Sequence, residues 1–185
     1  MGDRRDPPAP LGRLEPGQSR DFRGNQDLPG HFLVVQKAEL GSFAFSLRIR
    51  DISRSSENEG TEIPVVPQDE WRNTPIRLLD VPLNSTSRAA LRMFEMHVEP
   101  FSTPVAYVTL RGPGTASLRV ELSRDQTEYG VLTVPGYATV NDLRAAAGLP
   151  EGSYHVEVVP QNYTGWAFVA VTNNETQVVT AITPK

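Results

Sequence analysis

Residues 165–184, GWAFVAVTNNETQVVTAITP, contain two short apolar runs on either side of a polar stretch. The runs are rich in aromatic and β-branched residues, which favour a pleated strand. The polar stretch Thr172–Thr176 contains two asparagines, which tolerate the positive φ of a turn. Pro184 ends the second run, because proline cannot donate a hydrogen bond to a strand ladder. The pattern predicts a β-hairpin.

The first strand of this hairpin has apolar residues on both faces. Trp166 and Phe168 alternate with Ala167, Val169 and Val171, and alternate residues of a strand point to opposite sides. Such a strand is covered on both sides. Either it is a central strand of the core, or one of its faces meets another protein.

An earlier segment, residues 41–67, has a similar plan. It contains Phe43-Ala44-Phe45, a polar loop over Asp51–Gly60, and an apolar run that ends in Pro67. Its alternation points the large apolar residues to one face. By analogy we expect Trp166 and Phe168 to face the core. Ala167, Val169 and Val171 would then form an outward apolar stripe that serves as a protein interface. An internal repeat and a chance similarity both remain open.

Composition narrows the class of protein. The chain has 185 residues, enough for a substantial core, with 16 Pro and 14 Gly spread between short apolar runs, as in a fold of many strands and turns. Cysteine is absent, which excludes disulfides, thiolate metal ligands and cysteine nucleophiles. A net charge of −4 without a basic stripe argues against nucleic-acid binding. No apolar run is long enough for membrane insertion.

The cellular location is predicted from the same features. A cysteine-free β-rich chain is more typical of bacterial surface or phage proteins than of eukaryotic secreted domains, which usually carry disulfides. The start of the chain lacks the pattern of a signal peptide. We expect an extracytoplasmic protein, secreted or at the cell surface, in a mature or recombinant form. An intracellular protein is the alternative.

Residues 1–28 differ in composition from the rest of the chain. They are rich in proline, glycine and balanced charges, and contain too few apolar residues to form a core. One interpretation is a flexible leader. The other is an extended arm that packs on a neighbouring subunit, with Leu14 and Phe22 as its interface anchors.

The remaining chain divides into two parts. Residues 29–75 are predicted to form a β-hairpin unit and a connector, and residues 76–185 a β-sandwich domain. Trp71, within the connector QDEWRNTP, is either a packing anchor or a platform on which a sugar stacks, and Tyr163 is a second candidate for such stacking. The alternation of Arg88–Met96 predicts a strand, although its residues also suit a helix.

One short helix is predicted at Thr139–Gly148. Thr139 and Asp142 resemble a capping box, alanines favour the helical conformation, and Gly148 before Pro150 is a stop signal.

The sequence contains few candidate catalytic or metal-binding residues. The pairs His97/Glu99 and His155/Glu157 each place an imidazole and a carboxylate on one strand face, and together they contain enough ligands for a metal. The same pattern is ordinary on an exposed strand, and no nucleophile elbow is present. We therefore predict no catalytic residue, no metal site and no cofactor.

Three glycosylation sequons begin at Asn84, Asn162 and Asn174, all in predicted turns. Turns favour Asn, Ser and Thr for their own reasons, so we interpret these residues as turn formers.

The stretch Arg88–Phe94, followed by a strand pair, a short helix and the stretch Trp166–Gln177, resembles immunoglobulin-like β-sandwich modules of secreted bacterial proteins. The similarity covers about residues 76–184, and partly 41–67, and no functional residue carries over. It implies an all-β, immunoglobulin-like antiparallel β-sandwich with one short helix and an extended N-terminal arm. The expected function is a non-enzymatic structural or adhesive module that binds a protein partner or itself. The alternative is a carbohydrate-binding accessory module of a secreted hydrolase, with a polysaccharide as partner.

Overall fold

A computed structural model describes residues 47–49, 61–98, 103–123 and 136–185. Within these ranges the fold is all-β with one short α-helix. The arm over residues 1–28, with the predicted anchors Leu14 and Phe22, lies outside the described residues. So do residues 41–46 and 50–60, most of the earlier segment that resembles the last hairpin.

The elements are short, and tight turns join several of them. A short 3-10 helix at Gln68–Glu70 precedes the main sheets. In chain order the strands and the helix are β1 (Leu47–Ile49), β2 (Thr61–Ile63), β3 (Ile76–Leu83), β4 (Ser87–Val98), β5 (Val105–Arg111), β6 (Thr115–Glu121), β7 (Tyr137–Val140), α1 (Leu143–Ala147), β8 (Gly152–Gln161), β9 (Tyr163–Asn173) and β10 (Val179–Ile182).

Two four-stranded antiparallel sheets form the sandwich. Sheet I has the order β3-β8-β5-β6 and sheet II the order β10-β9-β4-β7, while β1 and β2 pair separately. From β3 onward, consecutive strands change sheet at every step except the hairpins β5–β6 and β9–β10. The predicted antiparallel β-sandwich is confirmed. The immunoglobulin-like subclass is not confirmed.

The core lies between the inner faces of the two sheets. From Ala89 to Glu95 every second residue of β4 points inward, and Leu91 and Met93 are fully buried there, as are Val108 and Leu110 of sheet I. The period of two and the long pairing of β4 with β9 confirm a strand over Arg88–Met96 rather than a helix. Each fully buried side chain of this size contributes about 1.5–3 kcal/mol through removal from water.

The predicted orientation of β9 is wrong. Ala167 and Val169 are fully buried between the sheets, and Val171 packs against the same core. Trp166 and Phe168 lie on the outer face of sheet II. The register explains this difference, because opposed residues of paired strands share a face, and Ala167 and Val169 lie opposite the inward residues Met93 and Leu91 of β4.

The helix is shorter than the sequence predicts. Asp142 caps it, its Oδ1 accepting a hydrogen bond from Ala145 N at 3.0 Å, and Gly148 ends it with φ 62°. Thr139, the predicted cap, belongs instead to β7, where it pairs with Arg92 of β4. The stop signal was therefore correct, while pairing with β4 keeps the residues before Asp142 extended.

Candidate functional site: the last hairpin and its edge

The β9–β10 turn is held by side-chain hydrogen bonds. Asn173 Oδ1 accepts from the backbone N–H of Glu175 at 2.9 Å and of Thr176 at 2.8 Å. Gln177 N donates to Asn173 O at 2.9 Å, and Gln177 has a left-handed φ of 59°. Asparagine in turns satisfies backbone donors in this way. The tip of the hairpin is consequently well defined.

The same tip is tied to the turn between β3 and β4. Asn174 donates from its backbone N to Thr86 O at 2.9 Å and from Nδ2 to Ser85 O at 3.0 Å. Asn84 Oδ1 accepts from the N and Oγ of Ser87, both at 2.8 Å. Two of the sequon asparagines, Asn84 and Asn174, thus fix turns, as their composition predicts.

The strand β10 lies at the end of sheet II. In the described part of the chain it forms a ladder only with β9, and β2 lies beside it without forming a ladder. Asn173 N donates to Val178 O at 2.9 Å, which makes this a hydrogen-bonded pair. In an antiparallel ladder such pairs alternate with non-bonded ones. Thr180 and Ile182 therefore bond to β9, while Val179, Ala181 and Thr183 direct their N–H and C=O groups away from it.

Two open grooves flank β10. One, of about 380 Å³, lies between Pro64 and the residues Val179–Ala181 and Thr183. The other, of about 480 Å³, lies between the two turns and is lined by Asn84, Thr86, Ser87, Val171, Asn173, Thr176, Val178 and Thr180. Neither lining contains a charged side chain. Val178, 62% exposed, and Val65, 48% exposed, are large apolar residues on the surface near β10.

A second apolar cluster covers the outer face of sheet II. The Phe94 and Phe168 rings stack with centroids 6.2 Å apart, and the Trp166 ring lies 5.5 Å from that of Phe168. Val66 and Trp71 of the connector pack against this cluster. Trp71 is partly buried there, which favours its interpretation as a packing anchor over a sugar platform.

A buried carboxylate and a buried phenol lie at one end of the sandwich. Glu95 is 1% exposed and lies opposite Gly165 across the β4–β9 pair. Burial, with a smaller contribution from the negative charge of Glu95, raises the pKa of Tyr163 above its ordinary value. Tyr163 is 6% exposed, so the prediction that it presents a stacking surface is wrong.

Two glycines provide the space for this pair. A Cβ at Gly136 would lie 2.5 Å from Glu95 Oε1, and a Cβ at Gly165 would lie 2.3 Å from the Tyr163 ring. At Gly165 the added atom would also meet the backbone oxygen of Phe94 at 2.6 Å, so glycine is required there for steric reasons. At Gly136 the close atoms all belong to the Glu95 side chain, which would have to shift.

The outer face of sheet I is polar. Tyr107 is 45% exposed there and lies opposite Arg119 of β6. The carboxylate of Glu121, 2.6 Å from Arg119 Nη1, raises the pKa of that arginine, and Tyr107 adds to the effect. On the same face Arg77 Nε lies 3.0 Å from Glu157 Oε2.

The described ranges contain no group of three or more His, Cys, Asp or Glu side chains close enough to hold a metal ion. Glu157 of the second His-x-Glu pair is engaged by Arg77, and His155 is exposed. Glu99 of the first pair lies outside the described residues. Among the same residues, no helix is long and apolar enough to cross a membrane.

The structure does not place the predicted interface residues of β9 on the surface. Ala167, Val169 and Val171 face the core, and the surface next to them in sheet II is formed by β10, which the sequence interpretation did not select. One signal for it was present: residues 176–184 contain no charged side chain, although Glu175 and Lys185 flank them.

Comparison with known proteins gives no relative for this chain. No family model matches it, and neither the curated proteins nor the solved structures include a significant match.

Proposed function

We propose that this chain is a non-enzymatic structural module that works by binding protein surfaces, including copies of itself, in an extracellular or cell-surface assembly. The observation that carries the proposal is the uncharged surface around β10. Residues 176–184 contain no charged side chain, and Val178 and Val65 are large apolar residues exposed on this surface. Exposed apolar surface marks sites of protein interaction.

The fold supports the proposal by analogy. The β-sandwich architecture is shared by many cell-surface domains, including cadherins, whose roles depend on surface recognition. This analogy concerns the fold alone and assigns no residue a role.

The test is the mass of the full chain in solution, measured by light scattering over a concentration series. We expect a defined oligomer that dissociates on dilution. A second sample carrying Leu14→Asp and Phe22→Asp tests the arm, and a reduced mass would assign it to the interface. A monomer at the highest soluble concentration would overturn self-association.

A carbohydrate-binding accessory module is the second candidate, because Tyr107 is an exposed aromatic residue on a broad polar sheet face. Aromatic rings pack against the apolar faces of sugars, while their polar neighbours bond the hydroxyl groups. Retention on insoluble polysaccharides that is lost in Tyr107→Ala, with unfolding unchanged, would favour this function. Loss of retention in Trp71→Ala together with lowered stability would indicate only a packing role for Trp71.

A further inference from the structure

We propose that the outer face of sheet I binds an acidic polysaccharide, with a sugar ring packed on Tyr107 and a carboxylate or sulfate group held by Arg111 and His155. This inference rests on the second candidate function, carbohydrate binding, because it names the class of carbohydrate and the side chains that contact it. The face belongs to the other sheet from β10, so the inference is independent of self-association.

Tyr107 supplies the surface for the sugar ring. Its neighbours Ala106 and Val108 on β5 are buried in the core, so Tyr107 points outward, where it is exposed. Strand pairing places it opposite Arg119 of β6 on one side and the half-buried Val159 of β8 on the other. The phenol ring and Val159 together form an apolar strip on which the face of a sugar ring packs.

Arg111 and His155 supply the site for the acidic group. They lie opposite each other in the β5–β8 ladder, and both are exposed. Neither forms an ion pair with any residue that the structure describes. The guanidinium group of Arg111 is positively charged at every physiological pH, and both side chains carry N–H donors. An anionic group above this pair would accept hydrogen bonds from both.

The carboxylates on the same face do not neutralise Arg111. Glu121 and Glu157 each form an ion pair with a different arginine, at 2.6 and 3.0 Å. Asp80 lies in the bulge of β3, and β8 separates that strand from β5. The positive charge of Arg111 is therefore available to a ligand.

Hydroxyl side chains occupy the space between the two parts of the site. Thr109 lies between Tyr107 and Arg111 on β5, and Ser117 of β6 lies opposite Thr109. Such groups bond the hydroxyls of a bound sugar. At about 3.3 Å per residue, Tyr107 and Arg111 are about 13 Å apart, which is longer than one sugar ring. The ligand is therefore a chain of linked sugars rather than a single one.

The overall charge of the protein makes this site testable. The net charge is −4, so general attraction does not favour an anionic polymer, and retention has to come from a local site. Because salt screens the charge of exposed arginines, binding should weaken as the salt concentration rises.

The experiment is affinity electrophoresis of the full chain in gels that contain alginate, polygalacturonate or dextran sulfate as acidic probes, and dextran or starch as neutral ones. We expect the acidic polysaccharides to retard the chain at low salt. Tyr107→Ala and Arg111→Gln should each lower the affinity about tenfold or more.

Arg88→Gln is the matched control, because it removes the same charge from an exposed position of β4 in sheet II. It should bind like the unaltered chain. Thermal unfolding of each variant establishes that the fold is intact.

The outcomes separate the proposals. Retardation by acidic polysaccharides that Tyr107→Ala and Arg111→Gln both lose supports the site. Equal losses in Arg111→Gln and Arg88→Gln would indicate general electrostatic attraction and overturn it. Retardation by neutral polysaccharides alone, lost in Tyr107→Ala, would overturn the acidic class and leave carbohydrate binding standing. An absence of retardation in every gel would overturn both, while light scattering tests the structural function separately.

Discussion

The backbones of Arg72 and Gly165 exchange two hydrogen bonds of 2.9 Å each. On one side of β9, Gly165 lies next to β4. Arg72 therefore lies on the opposite side of β9, which is the side that pairs with β10 further along the strand. The connector therefore extends this edge by one bridge. It also brings Trp71 onto the outer aromatic cluster of sheet II.

Trp71→Ala should lower the free energy of unfolding by about 1–3 kcal/mol, less than for a fully buried tryptophan because Trp71 is only partly buried. Binding of a hydrophobic dye should rise, since Trp166 and Phe168 lose part of their cover. Urea unfolding measures the first effect and dye fluorescence the second. Tyr107→Ala, on the exposed face of sheet I, is the control and should change stability by less than about 0.5 kcal/mol. Equal stability of the two variants would contradict packing by Trp71.

Gly165→Ala should destabilise the fold by about 1–3 kcal/mol, because the added methyl group meets the Tyr163 ring and Phe94 O at 2.3 and 2.6 Å. Chemical denaturation is the measurement. Gly148→Asn is a useful comparison, since that position is open and its left-handed φ of 62° is tolerated by asparagine. A neutral effect of Gly165→Ala would mean that the Tyr163 ring moves freely, contrary to its buried position.

The raised pKa of Tyr163 predicts a loss of stability at alkaline pH. The unfolded chain ionises this phenol near its ordinary pKa of about 10, whereas the folded chain keeps it protonated. Above that pH the unfolded state binds fewer protons than the folded state, so the free energy of unfolding falls as pH rises. Urea midpoints measured from neutral to alkaline pH should show this fall.

Tyr163→Phe should have a shallower alkaline decline, because its ring cannot ionise. An equally steep decline in this variant would assign the pH dependence to other groups.

Asp142→Ala should cost about 1 kcal/mol, because the carboxylate accepts the Ala145 N–H at 3.0 Å at the start of α1. Thermal unfolding compared with Asn141→Ala, an exposed neighbour before the cap, isolates the contribution of the cap. If both substitutions lowered stability equally, Asp142 would have no special role as a cap.

Local patterns in the sequence predicted much of the fold. The β-branched runs beside Asn173 and Asn174 predicted the last hairpin, the period of two over Arg88–Met96 predicted β4, and Gly148 predicted the end of the helix. These features depend on residues close together in the chain. The local sequence therefore determines the last hairpin, β4 and the end of the helix.

The orientation of β9 could not be predicted in this way. Both of its faces are apolar, so only its register with β4, whose residues lie far away in the chain, decides which face meets the core. Glu95 and Tyr163 come together through the same long-range pairing. The position of β10 at the end of sheet II depends on the strand order of the whole sheet. The uncharged run 176–184 could therefore not be assigned to an edge strand from the sequence.

The most direct test of the account is a dilution series of the full chain and Val178→Lys, followed side by side by light scattering. We predict a defined oligomer for the unaltered chain and a lower mass for the variant at the same concentration, because Val178 is a large apolar residue exposed on the uncharged surface around β10. Identical masses at every concentration would contradict assembly through this surface.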